Sequence, residues 1–593
     1  MAGTSGKVHV VRVKKTGYVD KRGRARDYSS AYLRRTYRED GKVKNETVAN
    51  LSALPDHVVD LIDAGLKGQQ LVPAAEAVTI TRSLPHGHIA AVHAMAQQLG
   101  LPALLGPAGR QRDLALALII SRVAAPASKL ATLGWWSDVT LGADLDVAGA
   151  STDEIYAAMD WLGDRQDAIE AELARRHLGP EPNPARMALF DLSSSWLEGS
   201  QCPLAARGYS RDGKKGTLQI EYGLLTDPAG RPVAVRVFPG NTGDPAAFTQ
   251  IVTAVREKSG LAKMVMVGDR GMITSARIAA LNQLEDGTPQ PDPYGWITAL
   301  RAPAIKKLMA DDGPLQLSLF DQQDLAEITS DDFPGERLVA CRNPVLAAER
   351  ARKREDLLAA TEKLLAPIIA RVQAGKLTGA GPIGVEVGKV ISKYKTSKHF
   401  AVTITGDSLT VERRQDQIDA EAALDGFYVL RTPIPAGDLD APGVVTAYKN
   451  LKYVERDFRH IKSDDLDLRP VFHRLEERVR AHVLICMLAC YLTWHLRRAW
   501  APLTFTDENP PQDNPAAPAR RSAAAQAKAS RQHDPTGRPY RSFRGLLDHL
   551  ATLTRNQVRF AGAQATIPVL TEPTSAQREA FHLLGTAIPL TLT

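Results

Sequence analysis

Three carboxylates lie where phosphoryl-transfer chemistry would use them. Asp191 follows the apolar run Met187-Ala188-Leu189-Phe190, Asp269 follows Met264–Val267 inside Gly268-Asp269-Arg270-Gly271, and Glu455 sits in the stretch Tyr448–Lys462. Three acidic groups brought together in a low dielectric repel one another unless cations bind. Hard oxygen donors suit Mg²⁺ or Mn²⁺. Two such ions about 4 Å apart activate a nucleophile and stabilise the leaving oxygen of a phosphodiester. Taken singly, each Asp reads equally well as a turn residue, and Glu455 as the i,i+4 partner of Arg459 on a solvated helix. Their joint placement is what points to chemistry.

The elements that must position them are legible in outline. Leu451, Val454, Phe458 and Ile461 recur at helical spacing and predict one helix over residues 448–462. On its wheel Tyr448, Glu455, Arg459 and Lys462 share a strip beside the apolar stripe, while Asp457 points nearly opposite and reads as solvated. Upstream, Met187–Leu192, Thr217–Leu225 and Val233–Phe238 read as strands, the last two joined by the turn Asp227-Pro228-Ala229-Gly230. A helix over Pro245–Lys258 with Asp244 as N-cap follows, then strand Met264–Val267, helix Thr274–Leu284 and strand Gly295–Ala299. Three strands, then helix, strand, helix, strand is the order of an RNase H-like α/β core. In such a sheet the first and fourth strands are neighbours, which brings Asp191 toward Asp269, and the late helix delivers Glu455.

Around this core the chain divides further. Residues 1–53 form a small basic β unit, with strands at Val8–Val13, Ser30–Tyr37 and Lys42–Ala49. Residues 1–52 hold thirteen Lys and Arg against five Asp and Glu, which suits phosphate contact. Residues 54–183 read as a helical domain of their own. The core occupies 184–299 and 441–500, interrupted by an α+β insertion over 300–440 with a long helix, Leu346–Ala374. Residues 501–541, rich in Pro, Ala, Gln and Arg, read as a disordered linker. A last helix, Phe543–Phe560, and an extended tail complete 542–593.

Composition bounds the class. A chain of 593 residues is too long for one core. Net charge +7 favours a polyanionic partner. Cys202, Cys341, Cys486 and Cys490 are scattered, which fits a reducing cytoplasm. No apolar leader opens the sequence, and Ala481–Leu496, about 24 Å long as a helix, falls short of the ~30 Å of a bilayer core. His482, Cys486 and Cys490 at i, i+4 and i+8 read as a core face rather than a metal site.

Several stretches carry a family resemblance: Phe190-Asp191-Leu192-Ser193; Gly208-Tyr209-Ser210-Arg211-Asp212-Gly213; Gly240-Asn241 with Asp244; Val267-Gly268-Asp269-Arg270-Gly271; and Tyr448, Glu455, Phe458-Arg459 and Lys462. Together with Leu468–His473 and Arg480-Ala481-His482, they resemble DDE-type bacterial insertion-sequence transposases of the group with a Tyr-Arg-Glu-Lys signature. That resemblance implies cut-and-paste transposition. Asp191, Asp269 and Glu455 would bind two Mg²⁺ or Mn²⁺ ions, and water would free a 3′-OH that attacks target DNA. Tyr448, Arg459 and Lys462 would hold terminal phosphates, with Arg211 and Lys214 as further DNA contacts. The partners implied are inverted-repeat ends and target DNA, bound by a homodimer in the bacterial cytoplasm, with no membrane. One departure stands out: the signature Arg is Leu451 here. The same carboxylates also suit another RNase H-like nuclease, or a catalytically inactive DNA-binding descendant of a transposase.

Overall fold

The computed structural model describes residues 6–19, 21, 23–69, 77–179, 187–242, 264–276, 278, 295–310, 313–320, 323–511 and 520–592. The chain forms two compact units, Met1–Leu84 with Thr554–Thr571, and Pro85–Leu553 with Glu572–Thr593. The expected helix over Pro245–Lys258, its cap Asp244 and most of Thr274–Leu284 lie outside the described residues.

In the first unit, strands β1 (Lys7–Val19), β2 (Ala25–Glu39) and β3 (Lys42–Asn50) make an antiparallel meander. Glu39 pairs with Lys42 across Asp40-Gly41, both at positive φ, as a tight two-residue hairpin turn requires. The helix Asp56–Leu66 covers the sheet, and Ala31, Leu51 and Val59 form the small core between them. A second sheet of this unit has the order β16-β15-β4, from β4 (Val78–Pro85), β15 (Thr554–Phe560) and β16 (Ile567–Leu570). The helix expected over Phe543–Phe560 therefore stops at Ala551. Its stripe of Leu546, Leu547 and Leu550 is spent there, and Arg555–Val558 pair with Ile567–Leu570 instead.

The second unit is built on one eight-stranded sheet of order β10-β11-β14-β9-β8-β5-β6-β7. Its strands are β5 (Met187–Trp196), β6 (Gln219–Thr226), β7 (Pro232–Pro239), β8 (Val265–Val267), β9 (Gly295–Ala299), β10 (Leu325–Ile328), β11 (Arg337–Arg342) and β14 (Phe427–Thr432). β5 pairs antiparallel with β6 and parallel with β8, and β8 runs parallel to β9. Residues 300–440 thus do more than interrupt this sheet. β14 pairs with β9 through Arg431–Thr298 and Leu430–Ala299, so three of their strands widen it. Of the rest, the helix Pro344–Gln373, the helix Ala380–Ile391 and a hairpin of β12 (Phe400–Thr405) and β13 (Ser408–Arg413) share a small core of their own.

The helices between Gly87 and Leu178 do not form a separate domain. Ile89, Leu116, Trp136 and Met159 belong to the same apolar cluster as Phe190 and Tyr222 of the sheet. The helix Glu476–Ala499 joins them: it packs on Arg110–Ala124, on Thr152–Asp164 and on β7. This helix is long and apolar enough to cross a membrane by length and composition, but most of it is buried inside the protein. His482, Cys486 and Cys490 lie in that buried stretch, and all four cysteines are buried and free. The expected linker is also ordered in its described part. Ser522 caps the helix Ala523–Arg531, and Lys528 reaches the carbonyl oxygen of Ala501.

β6 is buried along its whole length and has Gly223 opposite Leu192. A Cβ at Gly223 would lie 2.7 Å from Cε2 of Phe190. Gly223→Ala should therefore lower stability by about 1–3 kcal/mol through overpacking, seen as a lower urea midpoint of the unit that holds the sheet.

Candidate active site

The register of β5 and β8 brings the first two carboxylates level. Their last pair is Leu189 with Val267. Asp191 lies two residues beyond it within β5, and Asp269 two residues beyond it in the turn after β8, the paired strands being about 4.8 Å apart. The sequence pattern placed Asp191 after its strand, but β5 continues to Trp196. Ser193, Ser194 and Ser195 still pair with Tyr222, Glu221 and Ile220 of β6, and the Ser195 hydroxyl lies 3.1 Å from that of Tyr222. Asp191 therefore occupies a strand flanked by β6 on one side and open on the other, where β8 has ended.

Asp269 is fixed by its own turn. Its Oδ1 accepts the N–H groups of Gly271 and Met272, each at 2.8 Å, and its carbonyl accepts the Thr298 hydroxyl at 3.1 Å. Glu455 comes from the helix Leu451–Arg459, which packs against β5 and β6. Val454 and Phe458 are buried there, and the Phe458 ring meets that of Tyr222 edge-on at 5.6 Å. Glu455 itself is exposed.

The three carboxylates share one field. Burial first, then the charges of Asp269 and Glu455, push the Asp191 carboxyl up to about 7, opposed by the N–H of Leu192 and by Arg211. Burial and the charges of Asp269, Glu455 and Asp191 also raise the Tyr448 phenol to about 12, opposed by Arg270. Tyr448 thus stands beside the same cluster. A donor set of three carboxylates whose charges disfavour one another fits divalent cations. Among the described residues, however, no three His, Cys, Asp or Glu side chains gather closely enough to hold an ion in this conformation. A metal would have to draw them together.

Other expected site residues fall differently. The single helix over 448–462 is three pieces: Ala441–Lys449 carries Tyr448, Leu451–Arg459 carries Glu455 and Arg459, and a π turn spans His460–Asp464. The wider turn swings Lys462 off the strip and into the protein. Its ammonium lies 2.8 Å from Asp212 and the residue is buried, with burial depressing its pKa against the pull of Asp212. Arg459 stays exposed. Asp457, expected in solvent, is buried. Its carboxyl is pushed up to about 7, chiefly by burial, and Arg456 lies 3.5 Å away. The wheel could not foresee that Asp227, Cys490 and Arg497, all distant in sequence, would come near enough for charge to act between them and Asp457.

Asp212 is a residue whose role the sequence did not announce. Its side chain is 2% exposed and accepts from Lys462 at 2.8 Å, from Arg469 at 2.6 Å and from the Trp196 N–H at 3.3 Å. It ties the loop after β5 to the segment following the Glu455 helix. The loop also carries Arg211, half-buried with its N–H on the Ser194 hydroxyl, and Lys214, whose ammonium lies 3.3 Å from the Trp196 ring centroid. The motif Ser210-Arg211-Asp212-Gly213 was the available signal.

The sequence of this unit is matched by a known family. The family model described as a transposase DDE domain matches residues 193–492, half of the chain, and takes in Asp269 and Glu455. The chain belongs to the DDE-type transposases of insertion sequences. At its N-terminus, residues 18–73 match the N-terminal domain of the IS1634 transposase family. No curated protein matches the chain. Among solved structures, a piggyBac transposase synaptic complex with hairpin DNA is similar at 9% identity and a TM-score of 0.31, over 78% of this chain and 76% of that one. A likeness of that size carries no argument about this chain.

Two outcomes follow from the geometry. Asp212→Ala leaves the buried Lys462 and the half-buried Arg469 without their shared anion and should destabilise the protein by roughly 3–5 kcal/mol, read as a lower thermal midpoint. Asp191 ionises near pH 4 when unfolded and near 7 when folded. Its cost to stability therefore grows between those values and is complete above about pH 7. Asp191→Asn should raise the thermal midpoint at pH 8 and have less effect at pH 5. Mg²⁺ should stabilise the parent at pH 8 and the variant less.

Proposed function

We propose that this transposase cuts at the inverted-repeat ends of its insertion sequence and joins the freed 3′-OH to target DNA, with Asp191, Asp269 and Glu455 as its catalytic carboxylates. The observation that carries the reading is the mutual field of Asp191, within β5, Asp269, in the turn after β8, and Glu455. The partial order β7-β6-β5-β8-β9, strands 3-2-1-4-5 of this sheet in chain order, supports an RNase H-like core. Two Mg²⁺ or Mn²⁺ ions bound by these carboxylates would activate water and neutralise charge on the leaving oxygen.

The chain's own groups do the rest. Tyr448, beside the carboxylates, and the exposed Arg459 orient the terminal phosphate by hydrogen bond and charge. Arg211 and Lys214 approach the strand from the loop that Asp212 anchors. Lys462 acts through that loop: its ion pair with Asp212 holds Arg211 toward Asp191. The basic meander β1–β3 adds strand-borne cations at fixed spacing for backbone contact, and a homodimer would present two ends to one target in the bacterial cytoplasm.

The test uses the full chain and DNA carrying the terminal sequences that flank its gene. Glu455→Gln keeps shape but removes a charged ligand. Cleavage in Mg²⁺ should fall by orders of magnitude with end binding nearly unchanged. A variant that cuts as well as the parent refutes the triad. Strand cutting by the parent without joining would make the protein another nuclease of the same fold.

A further inference from the structure

Asp269 is exposed just past β8, a strand of three residues. Its carboxylate therefore takes its direction from the turn that carries it rather than from packing around it. That turn is one hydrogen-bonded unit. The Asp269 carbonyl accepts the N–H groups of Met272 and Ile273 at 3.1 Å each, while Oδ1 accepts those of Gly271 and Met272. Such a unit can tilt as a body unless something outside it holds both ends.

The near end is held by β9. The Gly268 N–H donates to the Ile297 carbonyl at 3.2 Å, and the Thr298 hydroxyl donates to the Asp269 carbonyl. The far end is held by a residue of the inserted segment. Arg431 of β14 donates through Nη1 to the Ser275 hydroxyl at 3.1 Å, six residues past Asp269. Residues directly opposite one another in an antiparallel pair share a face of the sheet, and Arg431 stands opposite Thr298. The two side chains that grip the turn are thus neighbours on one face.

Arg431 itself is closely held. Its Nε lies 2.6 Å from one oxygen of Glu336, and Nη2 binds the other. The guanidinium lies 5.0 Å from the ring centroid of Trp296, two residues before Thr298 on β9, and 4.8 Å from that of Phe333. A bidentate pair and cation–π contacts at these distances leave the group one orientation. Arg431 and Trp296 are buried. An ion pair that served the sheet alone would be complete with Glu336. The remaining nitrogen instead reaches out to an exposed serine on the chain that carries Asp269.

We propose that Arg431 is a positioning residue for Asp269. With Thr298 at one end of the turn and Arg431 at the other, the segment inserted between the second and third carboxylates sets the direction in which Asp269 meets a divalent cation. The proposal rests on the reading of Asp269 as a metal-binding carboxylate of a DNA-cutting enzyme. Arg431 acts through the turn and touches neither metal nor DNA, so its effect falls on metal affinity and not on DNA affinity.

Two measurements on the full chain test it. One is Mn²⁺ binding, followed by the paramagnetic resonance of the free ion. The other is the Mg²⁺ concentration for half-maximal cutting of duplexes bearing the terminal sequences that flank its gene. Loss of a group that orients a metal ligand lowers metal affinity by about 10–100-fold. Arg431→Gln should therefore weaken Mn²⁺ binding and raise the half-saturating Mg²⁺ by about tenfold or more. End-DNA affinity should be unchanged, and saturating Mg²⁺ should recover most of the cutting rate. Ser275→Ala, at an exposed position, should shift both metal readings in the same direction even where Arg431→Gln fails to fold. Ser275→Thr should restore them. Ser275→Ala added to Arg431→Gln should change nothing further, since both remove one contact. Parent-like metal affinity in folded Ser275→Ala or Arg431→Gln protein, or effects of the two that add in full, overturns the positioning role and leaves Arg431 to the sheet. Mn²⁺ binding by the parent that survives Asp269→Asn unaltered overturns the underlying reading of Asp269 instead.

Discussion

Parallel pairing of β5 with β8 is the constraint on which the site depends. Parallel strands run in step, and the last pair, Leu189 with Val267, lies two residues before Asp191 on β5 and two before Asp269 in the turn after β8. The resulting repulsion must be held by structure elsewhere. β6 secures β5 from Leu189 to Trp196, and Val454 and Phe458 seat the Glu455 helix on the same strands. Beyond the helix, Asp465 lies 2.6 Å from both His460 and Arg497, and Asp212 binds Lys462 and Arg469. Like charges are kept together by apolar packing on one side and opposite charges on the other.

Much of this was legible because it is local. Apolar runs followed by an acidic residue, the turn Asp227–Gly230 with Gly230 at φ 83°, and the stripe of Val454, Phe458 and Ile461 all leave period or composition in the sequence. The three carboxylates could be singled out because each stands beside such a signal. What could not be read depends on partners distant in sequence. A wheel gives direction around one helix, and it put Asp457 in water. The hairpin before β7 and the helix Glu476–Ala499 decide otherwise. Lys462 was misplaced because a π turn is not written in hydrophobic period. The helices from Gly87 to Leu178 looked independent because their apolar faces do not name the helix they share with the sheet.

The widening of the sheet by β11 and β14 changes what the segment between Asp269 and Glu455 is. An appendage joined by two loops could move freely against the core. Here Arg431 pairs in register with Thr298 of β9 and forms an ion pair with Glu336, its guanidinium lying 5.0 Å from the Trp296 ring centroid. The chain leaves β14 at Thr432 and enters the Tyr448 helix at Ala441. The placement of Tyr448 is thereby tied to an interior strand of the sheet rather than to a mobile arm.

The order in which the ribosome delivers these parts acts as a safeguard. Asp191 emerges roughly 260 residues before Glu455, which at about 5–20 residues per second is on the order of ten to fifty seconds of synthesis. From the emergence of Asp269 to the end of that interval the nascent chain carries two of the three carboxylates and lacks the helix that brings the third. The unit containing β1–β4 is finished later still, since β15 and β16 come from Thr554–Thr571. A product truncated before residue 455 lacks the third carboxylate, and one truncated before residue 554 leaves the N-terminal unit without two of its strands. Full-length synthesis is thus the condition under which both are complete.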